Sequence, residues 1–524
     1  MSASSEQRRG GRPGLWLWGR RLSQIAFLSF FLYLFLRYRY QDQDLLQGPL
    51  YFFFRLDPLL LLARTLPSWQ WSSFFWPALV LVVLTVLLGR FFCGWICPLG
   101  TILDAVGAAL HFGRRVEASR LSGRWRAVKY VVLVVLLTLA LLGFDWIGIF
   151  DPLSLLFRSL ALALYPALAY TGESFFDFAF SAAPEAWFDV LDSLYYFLKG
   201  PALPHGLLSY HLLLFTGGLF AAVLFLELAE RRFWCKNLCP LGALLGVLAK
   251  WRLLKRLPVR ICTDCGDCRS RCKMDSFAPE DGWQNVRECI LCFSCQEACP
   301  EDRVRYRLAF SLPARQMPDI GRRRLVLGAI GAAIAVPFLK VDRPLKAQVI
   351  RPPGALPEAE FMDRCVRCGA CMKVCVTNGL QPLLLERGLE GLWSPALVPR
   401  RGYCEFRCTL CGQACPTGAI QLLPLEDKQK TVIGEAFIDP CRCIPYALGK
   451  NCLVCEEHCP TAPKAIILRP QNKVDEQGNV QEVKLPVVRE DRCIGCGICE
   501  TKCPVQGSKA GIRVRPPAAG QSAI

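Results

Sequence analysis

Five long apolar stretches interrupt an otherwise mixed chain, at Leu22–Leu36, Phe74–Leu88, Tyr130–Ile149, Leu207–Leu228 and Leu325–Leu339. Each is predicted as a membrane-spanning helix, several of them near the lower length limit of about 17 residues. The first gains length if Arg37 and Arg39 snorkel while Tyr33, Tyr38 and Tyr40 occupy the interfacial belt. Two further apolar runs fall in the long loop between the third and fourth spans. Leu153–Tyr170 is broken by Pro166, and Trp187–Leu198 by Asp189 and Asp192, so both read as interfacial or re-entrant helices, with a full span as the lesser alternative. From Arg343 onward the chain turns soluble in character, with Pro-rich linkers at Arg351-Pro352-Pro353-Gly354 and Arg515-Pro516-Pro517.

Charge then orients the helices. The chain carries 62 Lys and Arg against 44 Asp and Glu, a formal +18 that raises nucleic acid or an anionic surface as partners. The distribution favours a topological origin, because basic residues resist translocation and accumulate on the cytoplasmic side. Arg8, Arg9, Arg12, Arg20 and Arg21 precede or open the first helix, and Arg90, Arg114, Arg115, Arg120, Arg124, Arg126 and Lys129 lie between the second and third. The loop between the third and fourth offers only Arg158 and Lys199, whereas Arg231, Arg232 and Lys236 begin a basic segment that runs to Arg322, Arg323 and Arg324. Five spans then place the C-terminal domain outside the cytoplasm, in a bacterial inner membrane protein. Nucleic acid drops out as a partner.

The 29 cysteines carry the chemistry. They fall into ferredoxin repeats, in which three closely spaced thiolates and a remote fourth hold a 4Fe-4S cube. The first two are Cys262, Cys265, Cys268, Cys272 and Cys289, Cys292, Cys295, Cys299. Four more follow: Cys365, Cys368, Cys371, Cys375, then Cys404, Cys408, Cys411, Cys415, then Cys443, Cys452, Cys455, Cys459, and last Cys493, Cys496, Cys499, Cys503. Six 4Fe-4S clusters, and about 24 irons, are expected from these ligands. Gly266, Gly369, Gly495 and Gly497 suit the positive φ and close approach that such loops need. Because the fourth cysteine typically serves the neighbouring cluster, Cys272 and Cys299 are expected to cross over. Zinc fits poorly, since its four-cysteine sites pair two C-x2-C units rather than triplets. Two repeats deviate: Cys404 stands one residue further from Cys408, and Cys443 lies well before Cys452, with Cys441 as a neighbouring thiol that is either the true ligand or unligated.

The remaining four cysteines form a duplicated C-x3-C-P-L-G motif, Cys93-Gly94-Trp95-Ile96-Cys97-Pro98-Leu99-Gly100 and Cys235-Lys236-Asn237-Leu238-Cys239-Pro240-Leu241-Gly242. Each copy follows a span that ends on the cytoplasmic side, so the copies are expected to converge, and the spacing lets each pair share one face of a helical turn. Cys93, Cys97, Cys235 and Cys239 are therefore the candidate catalytic residues. A metal or cluster, a transient dithiol, a quinone pocket and a structural role all remain open for them.

These features predict an α-helical membrane protein, a four-helix membrane domain plus a fifth span, with small α+β domains of the bacterial-ferredoxin type. The expected organisation is a basic tail (1–21), the membrane domain (22–260), a two-cluster ferredoxin (261–303), a linker with the fifth helix (304–341) and a four-cluster ferredoxin (342–524). From about residue 22 to 300 the twin motif and the ferredoxin behind it resemble the NapH family of quinol dehydrogenase subunits. After Arg322 the chain resembles the NapG/MauM family of exported four-cluster ferredoxins, down to Cys443-Ile444-Pro445-Tyr446 ahead of Cys452-Leu453-Val454-Cys455. The resemblance implies a fusion that oxidises quinol and relays electrons to a periplasmic reductase or cytochrome c-type acceptor, nitrate being the best-known terminal acceptor. It also implies nested ligand sharing, the first C-terminal repeat with the fourth and the second with the third. Gly321-Arg322-Arg323-Arg324-Leu325 is similar to a twin-arginine export signal, against an ordinary positive-inside stop.

No C-x-x-C-H haem site, dinucleotide fingerprint or P-loop is present. His211 reads as a residue inside the fourth span, and Glu227 and Glu230 as quinol-proton acceptors or as partners of Arg231 and Arg232. A competing function is a redox maturation factor that supplies electrons for assembling a periplasmic metalloenzyme. A redox sensor fits poorly, because six clusters exceed what sensing needs and no output domain remains.

Overall fold

The structure, a computed structural model, describes residues 14–38, 46, 51–68, 76–110, 123–199, 208–256, 265, 267–276, 286–299, 304–308, 322–339, 349–474, 480–507 and 509–517. Cys262, Gly266, Arg8, Arg9, Arg12, Arg114, Arg115 and Arg120 lie outside this set.

Helices form at all five apolar stretches. They are α1 (Leu15–Arg37), α3 (Trp76–Leu88), α5 (Val128–Leu141), α8 (Leu213–Phe225) and α10 (Arg322–Leu339), and between them stand α2 (Pro58–Ser68), α4 (Pro98–Leu110), α6 (Pro152–Ala182), α7 (Phe188–Lys199) and α9 (Pro240–Leu248). Among the described residues, only α6 is long and apolar enough to cross a membrane by length and composition, and 72% of its most apolar window is buried within the protein. This reverses the reading of Leu153–Tyr170 as a broken segment. Pro166 removes a backbone donor, and the chain absorbs the loss in a π-helical turn at Leu160–Leu164 instead of stopping. Asp151 starts the helix by accepting the Ser154 N–H at 2.8 Å, with Pro152 in the first turn. The predicted third span ends early, because Gly143 takes φ +72° and the chain leaves the helix before Asp145.

Small residues on α10 let it lie along α5. A side chain at Gly328 would stand 3.1 Å from Val131, and Ala332 and Val336 pack with Leu139 and Phe144.

Two cysteine-rich bodies sit at opposite ends of α1. At its start, Trp16 meets Phe293 of the shorter body at 5.3 Å between ring centres. That body contains the antiparallel pair β1 (Leu254–Arg256) and β2 (Tyr306–Leu308). At the other end of α1, Lys373 Nζ donates to the carbonyls of Phe35 at 2.7 Å and Tyr38 at 2.6 Å. A lysine is well placed there, since the last carbonyls of a helix lack partners and carry its negative pole. At 1.5 Å per residue, α1 separates the two bodies by roughly 34 Å.

The larger, C-terminal body contains three more antiparallel pairs. β3 (Leu380–Pro382) pairs with β4 (Pro395–Leu397), β5 (Glu435–Ile438) with β8 (Ile512–Arg515), and β6 (Ile466–Val474) with β7 (Val480–Val488). These short pairs are the strands of two ferredoxin-like halves; β6–β7 extends one of them as a hairpin.

Candidate functional site

Four cavities of similar size, about 340 to 430 Å³, lie in the C-terminal body, and each is lined by four cysteines. Cys365, Cys368 and Cys371 share the first with Cys415; Cys404, Cys408 and Cys411 share the second with Cys375. Cys443, Cys452 and Cys455 line the third with Cys503, and Cys493, Cys496 and Cys499 line the fourth with Cys459. The fourth cysteines do cross over, but between successive repeats. The expectation of nested sharing is wrong: each half is a two-cage unit, because the short turn after each fourth cysteine delivers it to the adjacent repeat.

The cages form a row whose order differs from that of the chain. The Cys404 N–H donates to the Cys496 carbonyl at 2.8 Å, joining the second cage to the fourth, and the Cys443 cage closes the far end.

Local geometry explains the loops. In the three regular triplets whose loops are described, the residues flanking the middle cysteine adopt positive φ: Arg367 and Gly369, Gly495 and Gly497, and likewise Leu291 and Phe293. Glycine takes this region freely, whereas Arg367, Leu291 and Phe293 must be held there. Arg367 is held by the carbonyls of Asp145 and Glu390. The two irregular repeats are each braced by a lysine. Lys428 donates to the Glu405 and Phe406 carbonyls inside the longer Cys404–Cys408 loop, and Lys473 donates to the Pro445 and Tyr446 carbonyls beside Cys443. Cys441 is exposed and outside the cage that Cys443 lines.

A hydroxyl two residues after three of the fourth cysteines reaches their sulfur: Thr377 to Cys375 and Thr417 to Cys415 at 3.8 Å, and Thr461 to Cys459 at 3.4 Å. This C-x-T signal was visible in the sequence and was missed. Burial pushes the thiols of Cys368 and Cys408 up to about 12, so the thiolate form needs positive charge in the cage. All the described cysteines are free. Four convergent thiols around one cavity are the donor set of an iron–sulfur cube.

In the shorter body Cys272 lies within electrostatic reach of Cys292, and the Tyr306 hydroxyl lies 3.2 Å from Cys295. Cys265 is exposed, and Cys268 and Cys299 pack beside Cys295 and Val304.

The twin motif converges between this body and the helices. Cys93, Cys97, Cys235 and Cys239 are each no more than 9% exposed and lie within electrostatic reach of one another. The two thiols of a copy do not share a helical turn as expected. Cys93 lies on a short helix, Phe91–Trp95, and Cys97 begins the next one; Cys235 and Cys239 are divided in the same way. Trp95 Nε1 donates to the Leu291 carbonyl at 3.0 Å, which seats the motif on the Cys289–Cys292 loop. Beside it, buried Glu288 accepts from Arg90 at 3.0 Å, Tyr130 at 3.0 Å and Lys129.

His211 lies in the turn ahead of α8 instead of inside a span, and its Nδ1 is 3.4 Å from Arg401. Glu227 accepts the Arg232 backbone N–H at 2.8 Å, and Glu230 pairs with Lys236 at 2.9 Å. Both acids therefore engage basic residues at the end of α8.

The fold and cages define an iron–sulfur electron-transfer protein of ferredoxin type. Comparison with known proteins agrees. A family described as "4Fe-4S binding domain" matches residues 69–117 and again 209–258, and a second family of the same description matches 485–508. The methylamine utilization ferredoxin-type protein MauM of Methylorubrum extorquens is 38% identical over 175 residues, 33% of this chain and 74% of its own. MauM of Paracoccus denitrificans is 35% identical over 37% of this chain and 83% of its own, and the ferredoxin-type protein NapG of Escherichia coli 31% over 38% and 87%. The chain belongs to the MauM/NapG family of ferredoxin-type proteins, through about a third of its length. No solved structure matches it.

Proposed function

We propose that the chain is a multi-pass protein of the bacterial inner membrane that oxidises quinol and relays electrons through six 4Fe-4S clusters to a periplasmic reductase or cytochrome c-type acceptor. The observation that carries this reading is the placement of cysteine-rich bodies at both ends of α1. The roughly 34 Å between them matches the hydrocarbon thickness of a bilayer, about 30 Å. In this reading the shorter body and the basic loops face the cytoplasm, the helical domain between the two bodies lies in the membrane with α6 among its helices, and the C-terminal body lies in the periplasm. Cys93, Cys97, Cys235 and Cys239 couple the membrane helices to the clusters.

The test is anaerobic mixing of the purified protein with a quinol analogue, followed by cluster spectroscopy. Rapid reduction of the clusters is expected; no reduction by any quinol would end the quinol reading. The similarity to MauM favours a second reading, a redox maturation factor for a periplasmic metalloenzyme. It predicts that loss of the gene leaves an inactive partner enzyme that added electron donors do not rescue.

A further inference from the structure

We propose that Cys93, Cys97, Cys235 and Cys239 jointly hold one further polynuclear iron–sulfur cluster, a 4Fe-4S cube outside the six ferredoxin repeats. Each of the two stretches that match a 4Fe-4S binding domain, 69–117 and 209–258, contains only two cysteines, half of what a cube needs. The fold pools the halves.

The pooling is built by a reciprocal exchange between the copies. In each, an arginine stands three residues ahead of the first cysteine, and each arginine crosses to the other copy. Arg232 donates to the carbonyls of Cys93 at 2.9 Å and Gly100 at 3.0 Å. Arg90 reaches the opposite turn so closely that a side chain at Gly242 would stand 2.6 Å from its Nη2. Both guanidinium groups are fully buried, and among the described residues Nε and Nη2 of Arg90 meet no hydrogen-bonding partner. A buried cation with unused donors beside Cys93 and Cys239 points to an anion between them.

Helix ends supply a second, independent attraction. Cys97 and Cys239 are the capping residues of α4 and α9, where their sulfurs accept the N–H groups of Gly100 at 3.5 Å and Gly242 at 3.2 Å. Proline follows each cysteine in the first helical position. The sequence Cys-Pro-Leu-Gly is thus a helix start whose capping atom is a thiol, and two such starts point their positive ends at one place. Two guanidinium groups and two helix N-termini around four thiols suit a tetrathiolate cluster of net negative charge. A single ion fits less well, because among the described residues no three Cys, His, Asp or Glu side chains are close enough to hold one. The same is true of the ferredoxin cages, whose sulfurs a cube would hold apart.

The test is iron and acid-labile sulfide per chain in the full-length protein purified anaerobically in detergent, with cluster spectroscopy. The wild type is expected to hold about 28 irons, and the double variant Cys97→Ser/Cys239→Ser to lose about one seventh of its iron and sulfide together with one spectral component. A wild-type count near 24, or an unchanged count in the variant, overturns the proposal. Should the variant shed more than one cluster by misfolding, the wild-type stoichiometry decides alone. None of these readouts depends on quinol, so the oxidation of quinol and this site stand or fall separately.

Discussion

The two halves of the C-terminal body use the same cage design and meet different surroundings. The half built on Cys365 and Cys404 is packed against the helical domain, whereas the half built on Cys443 and Cys493 projects away from it. In the first, Arg158 is completely buried, stacks on Trp393 at 4.2 Å and donates to the carbonyls of Ile149 at 3.0 Å and Arg367 at 3.2 Å. Trp393 in turn donates to Thr216 of α8 at 2.9 Å, and Tyr210 donates to the Met372 carbonyl at 3.0 Å. A side chain at Gly148 would collide with Val366 at 2.2 Å, so backbone meets backbone where the first cage touches the helices. In the second half, Leu448 is 65% exposed. Cysteine spacing therefore specifies a cage, and the residues between and beyond the cysteines decide which cage faces the helices and which faces outward.

That contrast can be broken most severely at a shared ligand. Cys415→Ser should remove the cluster of the first cage while the second persists, and Cys375→Ser the reverse, each lowering iron by about four per chain. Loss of the second cluster in Cys415→Ser would restore ligation within each repeat; electron paramagnetic resonance with iron analysis reads the outcome. Next in size is Arg158→Ala, which strips a charged donor from buried carbonyls and should weaken docking of the first half by about 3 kcal/mol. Hydrogen exchange should rise at 365–371 and stay unchanged in the β6–β7 hairpin. Lys373→Met should cost about 1 to 2 kcal/mol by leaving the last carbonyls of α1 unpaired, and a thermal melt should register it. The smallest effect is one of pH. Arg351 and Arg387 hold the Glu358 carboxyl below its usual range against the opposing effect of burial. This stability is present above the ordinary carboxylate pKa and is lost as the pH falls through the lowered folded value. Glu358→Gln should therefore flatten the acid limb of a stability–pH profile and leave the neutral plateau only slightly lower.

Much of this was legible in the sequence. The C-x2-C-x2-C triplets gave the cages, since the spacing itself is the coordination geometry, and Gly369, Gly495 and Gly497 have the positive φ expected of them. Pairing was not legible. Cys415 lies ahead of a turn whose direction depends on the Ala355–Ile420 bridge, a contact across 65 positions that spacing cannot encode. Pro166 misled for a different reason: a missing donor predicts a break, yet a helix packed on most of its sides can widen by one residue and continue. Arg158, counted only as a sparse charge in a loop, became the buried anchor of an interface. His211 was drawn into the fourth span because the apolar run beginning at Leu207 gives no sign that the helix starts only at Leu213.

Crossed ligands also set a timetable for synthesis. Cys443 emerges from the ribosome 60 residues before Cys503, its partner in the same cage, a delay of roughly 3 to 12 s at ordinary elongation rates. The Cys459 cage likewise waits for Cys493, Cys496 and Cys499. Neither cage of this half is complete until Cys499 and Cys503 have been made. A chain cut after Ile498 therefore keeps every ligand of the cages built on Cys365 and Cys404 and lacks one in each of the other two, Cys499 in one and Cys503 in the other. Machinery that inserts iron into these two cages must act after synthesis has passed Cys499 and Cys503, when the first two cages already have all their ligands.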